Sequence, residues 1–116
     1  MFLQLAHTKL DVFQASKDLT LECYRVTKHF PNEEKFALVQ QMRRAAVSVH
    51  HNLAEGCSRR SAVERRRFFE IARGSLIEVD TAAGLCFELG YVTREHLHPL
   101  GDMIIKTFKL LSGMMR

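Results

Sequence analysis

Apolar residues recur at every third or fourth position through most of the chain, in four separate runs. This spacing places side chains on one face of an α-helix and is typical of helices that pack side by side. The runs are Val12, Leu19, Cys23, Val26 and Phe30, with Ser16 completing the spacing; Val39, Met42, Ala46, Val49 and Leu53; Phe68, Ala72, Ser75, Val79, Ala82, Cys86 and Leu89; and Leu97, Leu100, Ile104, Phe108, Leu111 and Met114.

Capping and helix-breaking residues predict where the first two helices begin. Thr8 is expected to cap the first helix, which should end near His29 because Pro31 disfavours helical geometry in the residue before it. Asn32 is expected to cap the second helix, with Phe36 leading into its apolar face.

The same reasoning predicts the later helix ends. Gly56 is expected to stop the second helix in a left-handed conformation. The third helix should open with the capping box Ser61–Glu64 and end at Gly90. Thr93 is expected to cap the fourth helix, and Pro99 should separate or bend its first turn.

The three connections between the helices are short, so sequential helices should lie antiparallel. The sequence therefore predicts a single all-α domain over residues 1–116, an antiparallel up-down-up-down four-helix bundle. Three cysteines without Cys-x-x-Cys spacing indicate reduced thiols rather than disulfides or a zinc site. No stretch approaches the roughly 20 apolar residues of a membrane-spanning helix, and the first residues lack signal-peptide features. We expect a cytoplasmic protein without a membrane partner.

Positive charge is concentrated in the middle of the chain. Residues 43–73 hold eight of the eleven arginines against three glutamates, a local balance of +5 in a chain whose net charge is +4. Several of these arginines fall in the first turns of the third helix, where the helix dipole makes cations unfavourable. Phosphate would reverse that effect, so we expect nucleic-acid binding, with subunit contacts or solubility as alternatives. The predicted nucleic-acid-binding residues are Arg43, Arg59, Arg60, Arg65, Arg66, Arg67 and Arg73.

A regular polar row lies on the second helix, away from its apolar face. Its members are Gln41, Arg44, Ser48, Asn52 and Glu55. Short hydrogen-bonding side chains predominate there, which favours a covered contact between subunits over a solvated face. The predicted subunit-interface set is completed by Ser75 and Glu78. Gly74, beside Ser75, is expected to mark a close approach of another helix or, less favoured, a ligand site.

Catalytic and metal chemistry find little support. Glu95 and His98 match only half of a di-iron helix motif, and the apolar faces carry no glutamates to complete it. Cys57 follows the polar row and precedes two arginines that should lower its pKa, but no base accompanies it. We expect a protein without enzymatic activity, metal or cofactor.

Several motifs resemble the four-helix-bundle family encoded in 23S rRNA intervening sequences. They are Phe30-Pro31, Gln41-x-Arg43-Arg44-Ala45-Ala46-x-Ser48, Asn52-Leu53-Ala54-Glu55-Gly56, Gly74-Ser75-x-x-Glu78 and Leu89-Gly90-Tyr91. The resemblance spans about Leu10 to Leu111, and the only departure is Leu53, where the family commonly has isoleucine.

The resemblance implies a homopentameric barrel of bundles and no catalyst. A related branch, the accessory variability determinants of diversity-generating retroelements, implies a basic surface that binds RNA or DNA and a possible reverse transcriptase partner. A structural or protein-binding oligomer without a nucleic-acid role remains the alternative.

Overall fold

Four α-helices joined by short connections build the protein, and the computed structural model describes all 116 residues. The helices are α1 (Asp11–Thr27), α2 (Leu38–Ser58), α3 (Ala62–Glu88) and α4 (Arg94–Met114), and two short 3₁₀ turns, Ala6–Lys9 and Asn32–Glu34, precede α1 and α2. Each helix packs on its neighbours in sequence, and α4 also packs on α1, so the four form a closed square. The predicted all-helical bundle is confirmed. None of the helices has an apolar stretch long enough to cross a membrane.

The core follows the apolar spacing closely along α1 and α2. Every position of the first two runs is buried, including the polar Ser16. The interior divides into a larger cluster around Met42 and Leu76 and a smaller one around Leu53 and Phe69. The smaller cluster lies below the α2–α3 connection and supports that end of the bundle.

Three members of the predicted apolar faces are instead exposed. Phe36 is 82% exposed because it lies in the link between the second 3₁₀ turn and α2, where helical periodicity does not apply. Leu89 is 54% exposed because it follows the last residue of α3. Phe108 is 39% exposed because it faces an open groove between α3 and α4.

The beginnings of the first two helices differ from the predictions. Thr8 lies within the first 3₁₀ turn, where its hydroxyl donates to the Leu5 carbonyl, and so does not cap α1. Asn32 opens a 3₁₀ turn, and α2 begins only at Leu38, without a side-chain cap. Glu34 in that turn accepts a 2.7 Å hydrogen bond from the Tyr91 hydroxyl, which ties the turn to the end of α3.

The later caps are confirmed. Ser61 Oγ accepts the backbone N–H of Glu64, and Thr93 Oγ1 accepts that of His96. Gly90 ends α3 with φ of +77°, a conformation that favours glycine. Pro99 lies inside α4, which continues through it as one helix, so the expected separate first turn is absent.

The prediction for Gly56 is wrong. It lies within α2, without positive φ, and is buried. A Cβ built on Gly56 would lie 2.6 Å from Cε1 of Phe69. Its role is therefore to let the Phe69 ring of α3 approach the α2 backbone rather than to end the helix.

Candidate nucleic-acid interface

Arg65 fixes the shape of the α2–α3 turn. Its Nη1 donates to the carbonyl oxygens of Arg59 at 3.0 Å and Arg60 at 2.8 Å. Together with the Ser61 cap, these bonds hold the connection against the first turn of α3. Arg65 is half-buried, so its contribution here is to position the turn.

Arg59 lies between α2 and α3. Its guanidinium forms an ion pair with Glu55 and lies over the Phe68 ring, 4.9 Å from the ring centroid. Its Nε is buried and has no hydrogen-bond partner. The remaining exposed part of this guanidinium faces solvent beside the turn.

Arg66 connects the turn to the end of α4. Its Nη1 donates to the Met115 carbonyl at 2.7 Å, and its Nε contacts Glu70 Oε1 at 3.2 Å. A cation at the carboxyl end of a helix is favourable because the carbonyl groups there lack partners. The side chain nevertheless stays 60% exposed, so it serves the fold while presenting charge to solvent.

Arg60, Arg67 and Arg73 are exposed, and their side chains form no hydrogen bond or ion pair within the chain. Arg60 lies in the turn, Arg67 at the start of α3, and Arg73 two turns beyond Arg66 on the same face. We call these three residues the free arginines.

The charge of this end of the bundle is not neutralised internally. Residues 55–73 contain six arginines and three glutamates, a difference of 6 − 3 = +3. Only Glu55 and Glu70 form ion pairs with arginines of the region.

Arg43 is the member of the predicted set that lies elsewhere. Its Nε donates to Thr27 Oγ1 at 2.8 Å, its Nη2 donates to the Tyr24 carbonyl at 3.2 Å, and its guanidinium lies 4.6 Å from the Tyr24 ring centroid. Sixteen residues of helix separate it from Arg59, or about 24 Å. Arg43 therefore braces the end of α1. It is separate from the α2–α3 turn and its surrounding arginines, which we call the arginine turn: Arg59, Arg60, Arg65, Arg66, Arg67 and Arg73.

The predicted subunit-interface residues mostly come together in one place. Gln41, Arg44, Ser48, Ser75 and Glu78 line a groove of about 590 Å³ between α2 and α3, which we call the polar groove. The hydroxyls of Ser48 and Ser75 lie 2.8 Å apart.

Asn52 and Glu55 lie outside the lining of the polar groove. Asn52 Nδ2 supports the groove by donating to Ser48 Oγ at 3.0 Å. Glu55 belongs to the arginine turn through Arg59. A Cβ built on Gly74 would meet nothing within 4 Å, so the predicted close approach of another helix is not formed within this chain.

The lowering of the Cys57 pKa expected from the neighbouring arginines is not found. Burial raises the pKa of the Cys57 thiol and outweighs the lowering by Arg65. Burial likewise raises the pKa of Cys23 to about 12 and of Cys86 to about 11. His98 Nδ1 contacts Asp102 at 3.3 Å, and no group of three or more His, Cys, Asp or Glu side chains is close enough to hold a metal.

Sequence reasoning missed a second groove beside the turn, of about 610 Å³. The first residues of the chain cross the end of α2, and four of the lining side chains carry rings: Phe2, His7, Phe13 and His51. We call it the N-terminal groove. The only signal in the sequence was the apolar start of the chain, which has no helical period and therefore belongs to no predicted face.

Phe13, one of the rings that line the N-terminal groove, contacts His50, which in turn contacts a buried residue of the core. Phe13 stacks on His50 at 4.4 Å and meets His7 edge-on at 5.1 Å. His50 Nδ1 lies 2.6 Å from the Oγ of the buried Ser16. Burial, and then the nearby His51, Lys17 and His7, lower the pKa of His50, which favours the neutral ring.

Known proteins resemble this chain over most of its length. The family model described as 23S rRNA-intervening sequence protein matches residues 8–113. The crystal structure of a protein with unknown function from the S23 ribosomal protein family of Bacteroides thetaiotaomicron has a similar fold, with a TM-score of 0.83 at 23% identity, over 90% of this chain and 98% of that one. No curated protein matches the sequence. At that identity the structural similarity shows the fold alone, whereas the family match covers nearly the whole sequence, and the chain belongs to the 23S rRNA-intervening sequence protein family.

Proposed function

We propose that the protein binds the phosphate backbone of nucleic acid through the free arginines, which lie in the α2–α3 turn and along the first half of α3. The observation that supports this most strongly is that Arg60, Arg67 and Arg73 are exposed and have no partner within the chain. Arg66 and the exposed part of Arg59 add charge on either side.

The position of these cations supports a polyanionic ligand. Arg65, Arg66 and Arg67 lie in the first two turns of α3, where a cation is unfavourable by up to about 0.3–1 kcal/mol because the amino end of the helix is already positive. A phosphate bound there interacts favourably with both the guanidinium groups and the helix end. The Ser61 hydroxyl accepts from Glu64 and keeps its own proton available for a phosphate oxygen.

Contacts of this kind recognise charge rather than sequence. Guanidinium groups on phosphates position a nucleic acid without reading its bases, so binding should depend on salt and only weakly on sequence. If several copies assemble, as family resemblance implies, the repeated turns would act together and raise the apparent affinity.

A variant that removes only the free arginines tests the proposal. Replacing Arg60, Arg67 and Arg73 by glutamine should abolish binding of labelled RNA and duplex DNA in fluorescence anisotropy at physiological salt. Replacing Lys28, Lys35 and Arg94 by glutamine is the matched control, because it removes three exposed cations at the other end of the bundle and should leave binding in place. Equal loss in both variants, or retained binding in the arginine variant, would contradict the proposal.

A second candidate function is self-assembly through the polar groove. Arg44 and Glu78 line it, and their side chains form no hydrogen bond or ion pair within the chain, which favours partners on another copy. Sedimentation of the same samples that are used for anisotropy measures their oligomeric state and so distinguishes the two functions. Dissociation of the arginine-turn variant into monomers would favour a structural role for those arginines. Dissociation of an Arg44→Ala/Glu78→Ala variant, with binding per chain retained, would support assembly through the groove.

The resemblance to the accessory variability determinants of diversity-generating retroelements suggests one use for such an assembly. In that role the homo-oligomer, a pentamer by resemblance, would bring RNA or DNA to a reverse transcriptase as an adaptor. Association of the oligomer with that enzyme, measured by co-purification with and without nuclease, tests whether the contact is direct.

A further inference from the structure

The N-terminal groove lies directly beside the arginine turn. Its lining includes Glu55 and Ser58, which are the last exposed residues of α2 before Arg59 and Arg60. Its volume of about 610 Å³ falls within the range of about 300–1,000 Å³ found for small-ligand sites. Arg60 follows Ser58 by two residues, so a nucleic acid bound at this arginine lies close enough to reach the groove.

The ring side chains in the groove are placed for stacking. Phe2 is 88% exposed, although an exposed phenyl ring is unfavourable in water. His7 and Phe13 are half-buried: His7 packs edge-on against Phe13, and Phe13 in turn packs on His50, so the two rings form the floor of the groove. Flat aromatic faces of this kind stack on nucleobases of any sequence.

Polar groups complete the groove. Glu55 is the only carboxylate in the lining, and its ion pair with Arg59 offsets the repulsion it would exert on phosphate. Its oxygens, together with the Ser58 hydroxyl, can accept hydrogen bonds from the amino and imino groups of a base. The groove thus offers an aromatic floor with acceptors at one edge.

We propose that the N-terminal groove takes an unpaired nucleobase, so that the protein prefers single-stranded nucleic acid over a duplex. The inference rests on the proposed phosphate binding by the free arginines and names the class of nucleic acid that this site takes. Bases in a duplex are stacked on each other and present no face to Phe2, whereas a single strand can place its phosphates on the arginines and a base in the groove.

Tryptophan fluorescence tests this directly because the chain contains no tryptophan. In a Phe2→Trp variant, addition of oligouridylate should quench the emission, since a base stacks on the indole. Phe36→Trp is the matched control: Phe36 is comparably exposed, at 82%, but lies before α2, at the other end of that helix. Its emission should not change. Unchanged emission from Phe2→Trp while anisotropy records binding, or equal quenching of both variants, would overturn the inference.

Affinity measurements give a second, independent readout. A Phe2→Leu variant keeps an apolar side chain but removes the ring, and should bind oligouridylate roughly 5- to 150-fold more weakly. Its affinity for a duplex RNA of equal length should stay unchanged. Equal affinity of the unmodified protein for the single strand and the duplex would overturn the inference that the groove binds a base, but it would not contradict phosphate binding by the arginines. Failure to bind either nucleic acid would overturn both.

Discussion

Gly56 shows how one residue determines the packing beside the candidate site. A methyl group there would lie 2.6 and 2.9 Å from two ring carbons of Phe69 and 3.1 Å from Cβ of Phe68. Phe69 is buried in the smaller core cluster, so its ring has little room to move. The close contact between α2 and α3 below the arginine turn depends on the missing side chain.

A Gly56→Ala substitution should therefore destabilise the protein. Overpacking at such a contact costs about 1–3 kcal/mol, measured as a loss in the free energy of unfolding by urea. Gly74→Ala is the matched control within α3: a Cβ there meets nothing within 4 Å, and the change should stabilise the helix by about 0.5–1 kcal/mol. If the two substitutions changed the free energy of unfolding equally, the contact with Phe69 would not be what excludes a side chain at position 56.

The different outcomes for Gly56 and Gly90 show what local sequence can predict. A glycine that follows an apolar run predicts a left-handed helix end, and the φ of +77° at Gly90 confirms this prediction. At Gly56 the same local signal has another cause, a ring from α3 that is distant in sequence. Capping by Ser61 and Thr93 was predictable because the bond joins residues three apart.

At the scale of elements, Arg43 joins the beginning of α2 to the end of α1. It satisfies the Tyr24 carbonyl, contacts the buried Thr27 hydroxyl and covers the Tyr24 ring. These contacts favour one crossing of the two helices, because the guanidinium reaches three groups at once.

Replacing Arg43 by methionine should lower the free energy of unfolding by about 1–3 kcal/mol, because hydrogen bonds from a charged group are lost. Nucleic-acid affinity should not change, since this residue is far from the turn. Arg73→Met is the opposite case: Arg73 is exposed and without partners, so its loss should weaken binding and leave urea unfolding unchanged. If the Arg43 variant instead lost affinity for nucleic acid at unchanged stability, Arg43 would belong to the binding surface and the structural role would be wrong.

Helix pairing was predictable from the sequence, whereas arginine partners were not. The spacing of three and four fixes which face of each helix is buried, and short connections fix which helices are neighbours. Arg43 and Arg60 look alike in sequence, yet one contacts α1 and the other faces solvent. That difference arises only when separate helices meet. The N-terminal groove was missed for the same reason, because its rings come from three separate segments.

At the scale of the whole molecule, one end of the bundle collects the features of the candidate site. The α2–α3 turn lies there, Arg66 brings the end of α4 to it, and the first residues of the chain cross α2 beside it. The polar groove lies further along the bundle, where α2 and α3 present Arg44 and Glu78. The surfaces proposed for nucleic-acid binding and for self-assembly are therefore separate, so a substitution in one should leave the function of the other unchanged.

The salt dependence of duplex binding tests the central claim most directly, because each arginine that neutralises a phosphate releases counterions. The logarithm of the binding constant should fall linearly with the logarithm of salt concentration, and its slope should become shallower by about 1 for each of Arg60 and Arg67 replaced by glutamine. The Arg43→Met variant should keep the slope of the unmodified protein. An identical slope in the Arg60→Gln/Arg67→Gln variant would contradict phosphate binding by the arginine turn.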